Sequence, residues 1–155
     1  MGILSSNALL LDILRKPIKN CAVTFIRTEH CRSKGGLIMN TSQSRRALVV
    51  GATGIAGQTV SRQLIDAGWD VYGLARRGNS MVDGVTAIQV DLLDADATVI
   101  ALKGVMPEIV IIAAWIRKDT EAENIAANSA TLRNLFAALE PDGGVRHVAL
   151  LTGLK

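Results

Sequence analysis

The stretch that decides the fold is Ala47-Leu-Val-Val-Gly-Ala-Thr-Gly-Ile-Ala-Gly57. Four apolar residues spell a short strand, and three glycines follow at the spacing G-x-x-G-x-x-G. Apolar positions Ile55, Ala56, Val60, Leu64 and Ala67 then recur near a helical period until Gly68 supplies a stop. A glycine pattern alone is weak, and its place between a strand and a helix makes it informative. Gly51 permits the tight turn out of the strand. Gly54 leaves no Cβ in the way of an approaching pyrophosphate, and Gly57 allows the helix to lie close to the sheet. Thr53 and Ile55 belong to the same turn, where helix-terminal amides and the positive end of the helix dipole face the phosphates.

Working outward, residues 70–75, 85–90, 108–114 and 145–152 read as further strands. Residues 94–103 read as a helix. Thr120-Glu-Ala-Glu123 spells a capping box that opens a second long helix, with Ile125, Leu132, Leu135, Phe136 and Leu139 on one face, closed by Pro141-Asp-Gly-Gly144. Near-continuous apolar strands imply helices on both sheet faces. Right-handed crossovers then give an α/β doubly wound parallel sheet, a Rossmann-type fold of about five strands in the order 3-2-1-4-5.

The chain has 155 residues, one domain's worth, with 49% hydrophobic and 20% charged residues and a mean hydropathy of +0.30. The longest apolar run, residues 109–116, has the length of a buried strand and is too short for a membrane span. The net charge of +3 is unevenly placed. Residues 1–46 carry eight Lys/Arg against two acids, and residues 47–155 carry nine against twelve. The folded part is therefore acidic. With only 3% aromatics for base stacking, no nucleic-acid partner is expected.

Residues 1–46 read as a basic N-terminal extension, disordered or lying upstream of an alternative start at Met39, with a weak likeness to a transit peptide. Cys21 and Cys31, ten apart with His30 beside the second, read as free thiols in a reducing compartment, and no metal site is expected. No export signal is apparent, and the expected location is cytoplasmic.

The end of the second strand decides the cofactor. An NAD reader usually places an acid there for the ribose hydroxyls. This chain has Arg76 and Arg77, whose guanidinium groups suit a 2′-phosphate, so NADP(H) is expected. Asp91 can accept from the adenine amino group while Leu92 lies against the ring, with a helix-capping role as the plainer alternative for Asp91 or Asp94. Small Ala113 and Ala114 leave room at the end of the fourth strand. Trp115 either walls the nicotinamide site or caps the core, and His147 reads as a strand residue at the sheet rim.

Together these segments resemble the short-chain dehydrogenase/reductase superfamily in its extended or atypical branch. Within it they look most like the progesterone 5β-reductase/iridoid synthase-like reductases. The resemblance covers residues 47–155. It rests on the glycine turn, Val71-Tyr-Gly-Leu-Ala-Arg-Arg77, the helix text from Glu121 to Asn134 that includes Asn128, and Thr152-Gly-Leu-Lys155. It implies NADPH-dependent reduction of the activated C=C bond of an enone or enal, with a tyrosine and a lysine stabilising the developing enolate oxygen. Carried over by position, Thr53, Gly54 and Ile55 fall on the phosphate turn. Arg76 and Arg77 fall on the 2′-phosphate, and Asp91 and Leu92 on adenine. Ala114 and Leu151 fall on the nicotinamide-ribose side, where a contact would be through backbone. Lys155 falls on the catalytic lysine. The family's tyrosine lies beyond the lysine, and Tyr72, the only one here, sits on the adenosine side. The chain therefore reads as the N-terminal portion of a reductase. An extended-type epimerase or dehydratase, or a non-catalytic NADP-binding sensor or scaffold, is the alternative.

Overall fold

The computed structural model describes residues 21–27, 45–78 and 81–153. The expectations for an alternative start at Met39, for Cys31 and for Lys155 fall outside them. In chain order the elements are β1 (Cys21–Arg27), β2 (Arg46–Val50), α1 (Ile55–Asp66), β3 (Asp70–Ala75), β4 (Val85–Gln89), α2 (Ala95–Leu102), β5 (Ile109–Ile112), α3 (Glu121–Leu139) and β6 (His147–Gly153).

One six-stranded sheet runs β1-β6-β5-β2-β3-β4. The five strands β2 to β6 are parallel, and their order is the doubly wound 3-2-1-4-5. The sixth strand comes from the segment that the sequence leaves outside the domain. β1 lies antiparallel to β6, with Cys21 opposite Gly153 and Arg27 opposite His147. β5 ends at Ile112, so Ala113 and Ala114 have already left the sheet.

The two faces carry separate cores. On one, Leu48, Val50, Val110, Ile112 and Val148 pack with Leu102 of α2 and Leu135 and Leu139 of α3. On the other, Ala47, Val49, Ile109 and Ile111 pack with Val60 and Leu64 of α1. Strand residues alternate between these clusters, as a strand covered on both faces requires. Among the described residues no helix is long and apolar enough to cross a membrane.

The helix faces differ from the sequence expectation. Ile55 is 89% exposed, and α1 buries Gly57, Val60, Ser61 and Leu64 instead. On α3 the buried row is Asn128, Thr131, Leu135, Ala138 and Leu139, while Ile125 and Phe136 are exposed. Phe136 sits one residue, about 100° of arc, beyond Leu135, which turns it away from the sheet.

Candidate functional site

Three things converge at the carboxyl ends of the parallel strands: the turn after β2, the ends of β3 and β4, and the segment after β5. α3 runs beneath them. Together they enclose a cleft of about 310 Å³. It opens where the chain crosses from the β2-β3-β4 half to the β5-β6 half, the switch point at which doubly wound sheets bind ligands.

The glycine turn is built by backbone bonding. Gly51 N–H donates to Leu74 O at 2.8 Å, and Gly54 N–H donates to Gly51 O at 3.0 Å. Gly51 adopts φ +83°, and a Cβ on it would meet that of Ala114 at 2.8 Å. A Cβ on Gly57 would lie 2.1 Å from Gly51 O. The chain's own packing thus demands both glycines. Gly54 differs, because its φ of −78° suits any residue and a Cβ would meet only Gly51 O, at 3.4 Å. Packing leaves the choice of glycine there open, and Gly54 borders the cleft.

The helices point the same way. Asp94 caps α2 by accepting from Ala97 N–H at 3.0 Å. α3 carries a full capping box, with Glu123 N–H donating to Thr120 Oγ1 at 3.3 Å and Thr120 N–H donating to Glu123 Oε2 at 3.2 Å. α1 begins at Gly54 with no side-chain cap and no acid in its first turn. Its leading amides lack intrahelical acceptors and sit at the mouth of the cleft, where an anion would complete them.

Thr53, Gly51, Gly54, Arg76, Asp91, Leu92 and Ala114 all border the cleft. Four of the expected site residues stand apart from it. Gly57 is buried beneath the turn, and Arg77 is exposed outside the lining. Leu151 packs with the α1-side cluster, and its neighbour Leu150 faces the cleft instead. A one-residue step along a strand reverses the face. Ile55 leads α1, with its side chain in solvent.

Asp91 and Asp94 divide their work. Asp94 is the cap, while Asp91 accepts from Leu93 N–H at 3.0 Å and still borders the cleft. A carboxylate that accepts one bond keeps acceptor capacity for another donor. Trp115 is 63% exposed at the cleft, which rules out the core-capping alternative. His147 starts β6 at the opposite end of the strands, as expected. Tyr72 packs against the core on β3.

The sequence reads Asn128 as a tie between this helix and the sheet, and the structure supplies its partner in the segment after β5. Asn128, 6% exposed, accepts from Ile116 N–H at 2.9 Å and donates to Ile116 O at 2.8 Å. It grips both backbone groups of one residue in the segment after β5. Asn134 reaches the opposite rim, donating to Leu92 O at 2.8 Å. Both asparagines belong to the helix text that carries the family resemblance, which was the available signal.

Comparison with known proteins places the chain in one family. Residues 47–152 match the NAD dependent epimerase/dehydratase family. A 3-oxo-Delta(4,5)-steroid 5-beta-reductase of Arabidopsis thaliana is 34% identical over 119 residues, covering 70% of this chain and 31% of the relative. An (S)-8-oxocitronellyl enol synthase of Nepeta cataria is 34% identical over 121 residues, with the same coverage of each. Among solved structures, UDP-glucose 4-epimerase of Thermus thermophilus in complex with NAD aligns at TM-score 0.55 and 23% identity, over 62% of this chain and 34% of the other. A short-chain dehydrogenase/reductase superfamily protein of Agrobacterium tumefaciens with bound NAD aligns at TM-score 0.53 and 25% identity, over 65% and 30%. The chain spans about a third of the length of these relatives.

Proposed function

Because the chain belongs to the NAD dependent epimerase/dehydratase family, we propose that its cleft binds NADP(H) and that the whole protein is a reductase acting on the activated C=C bond of an enone or enal. The observation that carries the binding reading is the bare N-terminus of α1, opened by a glycine that the fold does not need, beside Arg76. The turn amides and the α1 dipole hold the pyrophosphate. Arg76, at the end of β3, holds the 2′-phosphate in a bidentate pair, with Arg77 adding charge from outside the cleft. Asp91 accepts from the adenine amino group through its remaining acceptor capacity, and Leu92 lies against the ring.

At the other end, the small side chain of Ala114 leaves room for the nicotinamide ribose, and Trp115 forms the outer wall and limits water. A bound reduced nicotinamide supplies hydride to the β-carbon of the substrate. The resemblance assigns to Lys155 the stabilisation of the developing enolate oxygen. The two relatives named as a steroid 5-beta-reductase and an enol synthase support this substrate class.

The test is fluorescence titration of the purified chain with NADPH and with NADH. NADPH should bind at least about tenfold tighter, as expected for one charge-assisted phosphate pair, and Arg76→Ala should remove most of that preference. Equal affinities overturn the arginine assignment, and failure to bind either nucleotide overturns the dinucleotide reading.

A further inference from the structure

The rim that holds Asp91 and Leu92 is tied down twice over. Within the segment, Leu93 N–H donates to Asp91 Oδ1 at 3.0 Å and Asp94 N–H donates to Asp91 O at 3.0 Å. These bonds shape the turn but do not connect it to the rest of the cleft. Val90 N–H donates to Ala75 O at 3.2 Å and joins the start of the segment to β3. The connection to α3 comes from Asn134, 42 residues away, whose Nδ2 donates to Leu92 O at 2.8 Å and approaches Leu93 O at 3.4 Å. Leu92 is 8% exposed, and its side chain lines the cleft. The tie thus lands on the backbone of the residue whose side chain forms the cleft wall. Six residues earlier on the same helix, Asn128 holds Ile116 on the far rim. One rigid helix therefore grips both rims at points set by its own rise, nearly two turns apart.

We propose that Asn134 is a positioning residue for the adenosine end of the site. It fixes Leu92, and through it Asp91, at the spacing from Arg76 that an adenosine 2′-phosphate requires. The inference rests on the dinucleotide reading above. It adds a residue that touches no ligand atom and acts through Leu92. Loss of the donor leaves the Leu92 carbonyl without its partner on α3 and frees the rim to move relative to Arg76. The adenosine half of the ligand bears that loss.

The experiment compares NADPH with 2′,5′-ADP, which carries only the adenosine end, on the full chain and two variants. Asn134→Asp keeps the shape and replaces the donor with an oxygen. Asn134→Ser is too short to reach Leu92 and adds no charge. Each should weaken 2′,5′-ADP and NADPH by the same factor, about five- to tenfold for one lost hydrogen bond. Thr120→Ala, which weakens α3 at its cap, next to the Ile116 rim and away from the Asp91–Leu92 rim, should lower the melting temperature and leave 2′,5′-ADP affinity unchanged. Unaltered 2′,5′-ADP affinity in the Asn134 variants overturns the proposal, as does an equal loss in Thr120→Ala, since the effect would then be general helix stability. Failure of the unmodified chain to bind 2′,5′-ADP overturns the dinucleotide reading itself, and the positioning role with it.

Discussion

Gly54 and Gly57 sit three residues apart and answer to different demands. A Cβ at Gly57 would overlap Gly51 O at 2.1 Å, with backbone on both sides, so the helix must shift away from the turn. Gly57→Ala should therefore cost about 3 kcal/mol, at the upper end of overpacking penalties. A Cβ at Gly54 meets only Gly51 O, at 3.4 Å. Gly54→Ala should cost less than about 1 kcal/mol, the modest difference between these residues at a helix start, yet lower nucleotide affinity at least about tenfold if the pyrophosphate passes there. Thermal unfolding and NADPH titration of the two variants check the split. A nucleotide defect confined to Gly57→Ala would reverse the assignment. Such positions are legible in sequence because glycine marks a missing Cβ whatever the reason for it. Leu151 was not legible: strand alternation is known in principle, but its phase depends on where the pairing starts, and Leu150 rather than Leu151 meets the cleft.

The three helices among the described residues differ in how they begin, and the difference separates stability from function. Thr120 and Glu123 satisfy each other's backbone amides, so Thr120→Ala should destabilise the chain by about 1 kcal/mol. The change should appear as a lower melting temperature. At α1 the logic inverts. Gly54→Asp supplies the carboxylate that α1 lacks, so the ligand-free chain should gain a few tenths of a kcal/mol. The same carboxylate occupies the anion position, and NADPH binding should disappear. A variant that is destabilised in the absence of nucleotide would show that the bare terminus does not favour an anion. The five parallel strands, their order and the capping box were readable from periodicity and end signals, whereas β1 was not. The buried face of α3 was readable in part: Leu135 and Leu139 are buried as expected, whereas hydropathy ranks the exposed Ile125 and Phe136 above the buried Asn128 and Thr131. Asn128 is buried against the Ile116 backbone in the segment after β5, and Thr131 donates to Asn128 O within the helix; hydropathy reports neither bond.

Across the whole molecule, the parallel sheet ends at β6 and its outer edge is taken by β1. An unpaired edge presents a row of donors and acceptors to any other chain, so a covering strand suppresses association as well as adding ladder bonds. The composition of residues 1–46, basic and without clean periodicity, gave no hint of this role, because a seven-residue edge strand needs neither. Antiparallel geometry makes the pairing testable without removing the segment. Of two successive residues in β1, one directs its N–H to β6 and the other directs it outward. Thr24 lies opposite Leu150, and Phe25 lies opposite Ala149. Proline at the inward position deletes a ladder bond, whereas at the outward position it deletes none. Thr24→Pro and Phe25→Pro should therefore differ sharply. One should accelerate hydrogen exchange across β6 and promote concentration-dependent association, and the other should leave both near those of the unmodified chain. Identical exchange at β6 in both variants and the unmodified chain would mean that the β6 edge is not held by this strand in solution.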